Sequence, residues 1–141
     1  ENKMANAVYP LWKQELMKHT ANTQLNSAEG ATGVYVALVD TGTYTYSDTH
    51  QFYSDLSGIV GTDQEILNKT QVGRIFDGDN VTFPSVGGAS AEALVFYRRN
   101  AGANTTWPVV AYLDTGVIGL PVTPNTGDIQ LSFDAQGIFG L

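Results

Sequence analysis

The chain has 141 residues, of which 43% are hydrophobic and only 15% charged, and its formal net charge is −7 at neutral pH. This length suits one domain with its own core, and the low charge and high glycine content are typical of a β-rich domain rather than a disordered one. The negative charge disfavours nucleic-acid partners, the absence of cysteine excludes disulfides and thiolate metal sites, and no apolar run is long enough to span a membrane.

The first twenty residues predict the single helix of the chain. An apolar stripe at helical spacing runs through residues 7–20, on Val8, Leu11, Trp12 and Leu16. Pro10 suits the first turn, and a helix this short must pack on its own domain or on a neighbour. We therefore divide the chain into an N-terminal helix and connector arm at residues 1–32 and a single β-domain at residues 33–141.

The period of the pattern changes after the connector. The segment "GVYVALVD" (33–40) is apolar at successive positions, as expected for a central strand with both faces buried. Residues 41–61 place aromatic side chains among Thr, Ser, Asp and Gly, which indicates a long structured loop, with or without a short strand at 44–46. Further on, Asp77-Gly78 predicts the turn of a hairpin, and a calcium-binding loop in "FDGDN" is the less favoured interpretation.

The rest of the chain also reads as short strands. The segments "AEALVFYRRN" and "TWPVVAYLD" predict an antiparallel pair, "GDIQLSFD" alternates between apolar and polar residues, and "GIFGL" suits a last short strand. Six to eight strands with one leading helix predict a mainly β fold. We expect a sandwich, a jelly roll or a partly closed barrel.

Two Asp-Thr-Gly triplets follow apolar runs, at residues 40–42 and 114–116. Aspartic proteases carry their paired carboxylates in such triplets. However, each half of this chain is too short for a protease lobe. The same three residues also suit a turn at the end of a strand. In such a turn, Asp accepts a backbone N–H and Gly adopts a positive φ. We therefore interpret both triplets as turns. With no cysteine and two isolated histidines, we expect no catalytic site, cofactor or metal.

Aromatic and arginine side chains are the best candidates for a contact surface. Exposed aromatic residues mark protein interfaces or sugar-stacking platforms, although most aromatic residues of a small domain belong to its core. Arg98 and Arg99 end a strand, either as charges that guard against edge pairing or as salt-bridge partners for an acidic subunit. The candidate partner-binding residues are Tyr9, Trp12, Leu16, Tyr44, Tyr46, Arg98, Arg99 and Trp107.

Several segments resemble a family of small virion proteins of tailed bacteriophages. They are "MANAVYPLWKQELM" (4–17), "VYVALVDTGTYTYSDTHQFYSDL" (34–56), "GRIFDGDNVTFPSVGGASAEALVFYRRN" (73–100) and "VVAYLDTGVIGLPVTPNTGDIQLSFDAQGIFGL" (109–141). The connector at residues 19–32 departs from the family pattern because it lacks an acidic segment. The resemblance implies a structural protein without catalytic residues, most plausibly a head decoration (cement) protein.

This resemblance implies a location on the outer capsid surface after synthesis in the cytoplasm of a host bacterium. The implied partners are the major capsid protein, neighbouring copies of the chain, or both. A structural role in the tail or at the head–tail junction fits the same residues. A third hypothesis, from a different class, is a carbohydrate-binding module in which Tyr44, Tyr46 or Trp107 stacks on sugars.

Overall fold

A five-stranded antiparallel sheet forms the centre of the protein, whose computed structural model describes residues 6–141. In chain order the strands are β1 (Ala7–Val8), β2 (Val34–Val39), β3 (Ile59–Glu65), β4 (Thr70–Val72), β5 (Ile75–Asp77), β6 (Val81–Phe83), β7 (Ala93–Arg98), β8 (Val109–Leu113), β9 (Ile129–Leu131) and β10 (Phe139–Gly140). The central sheet has the order β1-β8-β7-β2-β3, and the two smaller sheets are β10-β5-β4 and β6-β9. One α-helix, α1 (Pro10–Met17), lies within these described residues.

Both faces of the central sheet are covered, which explains the uninterrupted apolar runs of its inner strands. Every residue of β7 and β8 is buried, and so is all of β2 except Tyr35. On one face, Phe96 of β7 contacts the rings of Phe133 and Phe139 at centroid distances of 5.8 and 6.3 Å. The two small sheets therefore pack on this face.

The loop between β2 and β3 covers the other face. Tyr44 lies 6.3 Å from the ring of Tyr112 on β8, and Tyr53 lies 4.5 Å from the ring of Tyr97 on β7. The long structured loop predicted for residues 41–61 is confirmed, except that its last residues, from Ile59, already belong to β3. Residues 44–46 form no strand within it.

The predicted helix is confirmed, with Pro10 in its first turn, but it does not belong to a separate arm. β1 pairs with β8 inside the central sheet, Ala7 opposite Tyr112, so the chain enters the domain before α1 begins. Trp12 is 1% exposed, and its indole N–H donates to the carbonyl oxygen of Thr23 at 2.9 Å. The helix packs on its own domain because this one large side chain completes the core.

The predicted hairpin at Asp77-Gly78 is wrong. β5 pairs with β4 across a turn at Gly73-Arg74, where Gly73 has a φ of +60°, and β6 pairs instead with β9. Gly78 serves close packing: a Cβ there would lie 2.4 Å from a methyl carbon of Ile66. The Asp-Gly pair therefore lies where the chain passes from the β10-β5-β4 sheet to the β6-β9 sheet, close against Ile66.

The other predicted strands are confirmed, but the predicted number of six to eight is too low, because residues 6–141 contain ten strands, several of only two or three residues. β7 and β8 form the expected antiparallel pair, β9 alternates between buried and exposed residues, and β10 is the last short strand. The protein is mainly β, with three antiparallel sheets and one short helix in a sandwich-like arrangement. None of these sheets closes into a barrel within residues 6–141.

Candidate functional site

The two Asp-Thr-Gly triplets lie at the same edge of the central sheet. β2 and β8 both run antiparallel to β7, one on each side of it, so their C-terminal ends meet where β7 begins. Glu92 immediately precedes β7 and thus lies between the two triplets. The sequence predicted two turns but not their juxtaposition.

Both triplets form turns, as predicted. The Asp40 carboxylate accepts the backbone N–H of Gly42 at 2.8 Å and the hydroxyl of Thr43 at 3.3 Å. In the second triplet, Asn6 supplies the acceptor, and its side-chain oxygen receives the backbone N–H groups of Asp114 and Thr115. A positive φ is found at Gly116 (+76°) and not at Gly42, so glycine has its predicted role only in the second turn.

A cleft of about 390 Å³ opens at this edge, which we call the tyrosine cleft. Its main lining residues are Thr41, Tyr44, Tyr46, Glu92, Tyr112 and Asp114. The Glu92 carboxylate accepts the backbone N–H of Thr41 at 2.9 Å, the Thr41 hydroxyl at 3.0 Å and the Ser90 hydroxyl at 2.7 Å. Burial raises the pKa of Glu92, but the hydrogen bonds from Ser90 and Thr41 outweigh it and hold that pKa below its ordinary value. Glu92 is therefore ionised at neutral pH.

The tyrosine rings of this cleft pack on one another. Tyr46 lies 5.4 Å from the ring of Tyr112 and 4.9 Å from that of Tyr9. The hydroxyl of Tyr44 forms hydrogen bonds of 2.7 Å with the hydroxyl of Tyr9 and with Nδ1 of His50. Burial, followed by the charge of Asp114, raises the pKa of Tyr112 to about 12. The cleft thus combines an aromatic wall with a negative electrostatic potential.

A second aromatic cluster surrounds Asp63 on the same face of the sheet. The Asp63 carboxylate accepts the hydroxyls of Tyr53 at 2.8 Å and of Tyr97 at 2.5 Å. The Arg99 guanidinium lies 3.8 Å from the centre of the Tyr35 ring and donates to the hydroxyl of Tyr97 at 3.1 Å. Burial raises the pKa of Asp63, against the lowering effect of the two tyrosine hydroxyls and Arg99. This network joins β2, β3 and β7 to the loop and is part of the internal structure.

Arg98, the neighbour of Arg99 in the chain, is buried. Its side chain is 4% exposed, and neither Nε nor Nη1 has an acceptor among the described residues. Burial lowers the pKa of Arg98. Arg98 is the last residue of β7, and Arg99 follows it. The suggestion that they guard a sheet edge is wrong, because β7 lies between β8 and β2.

An apolar groove lies toward the opposite end of the sheet from the tyrosine cleft. Its wide part, about 400 Å³, is bounded by α1, the connector and the last residue, and its narrow part, about 80 Å³, continues beside the β4–β5 hairpin. Its lining includes Leu16, Leu25, Gln71, Arg74, Ile75 and Leu141. The backbone N–H of Leu141 donates to the carbonyl oxygen of Arg74 at 2.9 Å and so holds Leu141 against the hairpin.

Exposed apolar side chains surround this groove. Val72 is 73% exposed, Leu141 53% and Ile75 37%. Val72 and Ile75 are opposite each other in the β4–β5 pair and share a face. We call the groove together with Val72 the apolar surface. In this chain of net charge −7, none of the described residues that line the groove is acidic, and Arg74 is its one charged side chain.

The structure divides the eight candidate partner-binding residues into three groups. Four are almost fully buried in the chain itself: Tyr9, Trp12, Tyr44 and Arg98. Arg99 and Trp107 are half-buried in the Asp63 cluster, where the Trp107 ring stacks on Tyr97 at 5.9 Å and 11°. Leu16 lines the groove and Tyr46 lines the tyrosine cleft, so these two reach a surface recess.

Most of the apolar surface could not be predicted from the sequence. Leu25, Val72, Ile75 and Leu141 are far apart in the sequence, and no local motif joins them. The one available signal was Leu16, at the end of the predicted stripe. For Val72, alternation within a three-residue strand is too short to show that all three residues are exposed.

Two further observations concern chemistry and membranes. Within residues 6–141, no group of three or more His, Cys, Asp or Glu side chains has the geometry to hold a metal ion. No helix in that range has the length and apolar character needed to cross a membrane. A comparison with models of protein families found no matching family, and a comparison with curated protein sequences found no significant relative.

Proposed function

We propose that the chain is a structural protein of a bacteriophage virion, specifically a decoration (cement) protein of the capsid. In this role it binds across subunits of the major capsid protein on the outer surface of the expanded head and stabilises the lattice. The observation that carries the proposal is the apolar surface, which exposes aliphatic side chains and has no acidic side chain in its groove, on a protein that is acidic as a whole. The resemblance of four long segments to small phage virion proteins supports the same role.

The composition of the apolar surface matches what protein–protein contacts require. The cores of interfaces are depleted of charged residues and covered by apolar side chains, whereas single exposed aliphatic residues are ordinary. Here Val72, Ile75 and Leu141 gather around a groove that Leu16 and Leu25 extend. The matching partner is a protein surface with apolar side chains that insert into the groove, as one subunit or a seam between capsid subunits would offer.

The net charge favours the outside of the head. A chain of charge −7 would be repelled by packaged DNA but meets no phosphate on the outer surface. Stabilisation then follows from linkage. A protein that binds the expanded lattice and not its dissociated subunits shifts the equilibrium towards the lattice, and many modest contacts add up.

A binding experiment with purified particles tests this proposal. The chain is mixed with emptied expanded heads, with unexpanded heads and with isolated tails of a phage that encodes it, and the amount that sediments with each particle is measured. We expect saturable binding to expanded heads, with a copy number that scales with the number of capsid subunits. Binding only to tails, or a few copies per head, would assign the chain to the tail or to the head–tail junction. Binding to no particle would contradict a virion role.

A further inference from the structure

The tyrosine cleft is a second recess in the surface, separate from the apolar surface. Its two carboxylates, on Glu92 and Asp114, occupy the same opening as the ring of Tyr46. Glu92 is fixed in place by three hydrogen bonds, which keep its charge directed at one position. A recess with aromatic walls and fixed negative charge attracts a cation that carries an apolar stem.

We infer that the tyrosine cleft binds a lysine or arginine side chain of a partner protein. The stem of such a side chain would lie along Tyr46, the half-exposed ring, and its charged head would reach Glu92 and Asp114. The volume of about 390 Å³ is enough for one long side chain. The inference rests on the proposed function only for the source of that side chain, which would be a capsid subunit.

The burial of the aromatic rings favours a cation over a sugar. A stacking platform for a sugar needs an open ring face, but Tyr44 is 2% exposed and Tyr112 is 4% exposed. Tyr46 is the half-exposed ring, and it already packs against Tyr9 and Tyr112. The carboxylates of Glu92 and Asp114 also favour a cation, since a neutral sugar gains no comparable attraction from their charge.

The position of the cleft gives this inference a structural consequence. The cleft lies at the C-terminal ends of β2 and β8, whereas α1 and the groove lie toward the start of β8. One molecule would thus make an apolar contact at one end and a charged contact at the other. This arrangement suits a protein that spans the seam between two subunits.

Titration of the isolated chain with small probes tests the inference without any virus particle. The amide signals of Thr41 and Thr45 in the ¹⁵N-labelled protein are followed by NMR while Nα-acetyl-arginine amide or Nα-acetyl-lysine amide is added. Nα-acetyl-norleucine amide serves as the neutral probe of similar length, and methyl glucoside as the sugar probe. We expect saturable shifts with a Kd on the order of millimolar for the cationic probes and binding at least about tenfold weaker for norleucine.

Matched variants show whether the carboxylates are responsible. The double variant Glu92→Gln with Asp114→Asn keeps side chains of the same shape, and we expect it to bind the cationic probes roughly tenfold more weakly. Asp134→Asn removes a carboxylate elsewhere, one that accepts the backbone N–H of Gln136, and should leave probe binding unchanged. The titration of the unchanged chain stands even if the double variant folds poorly.

The outcomes separate this inference from the proposed function. Equal shifts with norleucine amide, or no shift with either cationic probe, would overturn the cation site, and saturation by methyl glucoside alone would replace it with a sugar site. Binding of the cationic probes by a chain that does not attach to heads would leave the cleft as inferred and remove the capsid role. Attachment to heads by a chain that binds none of the probes would support the capsid role and overturn the cation site.

Discussion

Removal of two exposed aliphatic side chains should weaken attachment to the capsid without affecting the fold. Val72 and Leu141 lie on the apolar surface and are 73% and 53% exposed, so most of each side chain contributes nothing to the core. The double variant Val72→Ser with Leu141→Ser replaces both with small polar groups. Since Val72 already faces solvent in a three-residue strand, we expect the free energy of unfolding to change by less than about 1 kcal/mol.

The size of the expected effect follows from the exposed fractions. Burial of a whole valine or leucine side chain is worth about 1.5–3 kcal/mol. Scaled by exposures of 73% and 53%, the two side chains offer about 2–4 kcal/mol to a partner that covers them completely. This corresponds to a binding constant lower by roughly 25-fold to 600-fold in the double variant.

The assay is a sedimentation isotherm on emptied expanded heads, with the unfolding of the free protein in urea measured in parallel. Ile118→Ser is the matched control, because Ile118 is 72% exposed and lies outside the groove lining. We expect this control to bind like the unchanged chain. If the double variant binds as tightly as the unchanged chain, or if Ile118→Ser weakens binding as much, the assignment of the apolar surface as the capsid contact is refuted.

Three further predictions concern stability. Trp12→Ala should lower the free energy of unfolding by about 3–5 kcal/mol because it empties a core position. Met17→Ala, at an 82% exposed site of the same helix, should change this free energy little. Equal effects of the two substitutions in urea unfolding would contradict the packing of α1. Arg98→Met should raise stability by about 1–3 kcal/mol because it removes a buried guanidinium whose Nε and Nη1 have no acceptor, and a loss of stability would instead reveal a partner for that charge. Burial raises the pKa of Asp63, so the folded state binds more protons than the unfolded state above about pH 4, and stability should fall as the pH rises through the raised pKa. In Asp63→Asn this part of the pH dependence should disappear from urea unfolding measured between acid and neutral pH, and an unchanged profile would mean that Asp63 is not its source.

The parts of the fold that the sequence predicted are those with a strong local pattern. β2, β7 and β8 are long apolar runs because both faces of the central sheet are covered, and α1 carries a helical stripe with a proline in its first turn. The hairpin prediction failed because an Asp-Gly pair indicates a sharp change of direction and does not say which strands pair afterwards. At Gly78 a glycine is required because Ile66 packs against it, and the residues around Gly78 in the sequence do not reveal this contact.

The candidate sites were less predictable for a related reason. Whether an aromatic residue is exposed depends on what covers it, so Tyr9 and Trp12 looked equally suited to a partner surface and to the core. The tyrosine cleft depends on the order of strands, which brings Asp40 and Asp114 to either side of β7. The apolar surface joins the helix, the connector, a hairpin and the last residue. Neither site has a contiguous sequence signature.

The central claim, that the chain stabilises an expanded capsid, is tested most directly by heating emptied expanded heads and measuring the temperature at which they rupture. The measurement is made with increasing amounts of the chain, and again with the Val72→Ser and Leu141→Ser double variant. The account predicts a saturable rise in rupture temperature with the unchanged chain, and for the double variant a rise that requires much higher concentrations. A rupture temperature that does not change while the chain is bound to the heads would contradict the claim.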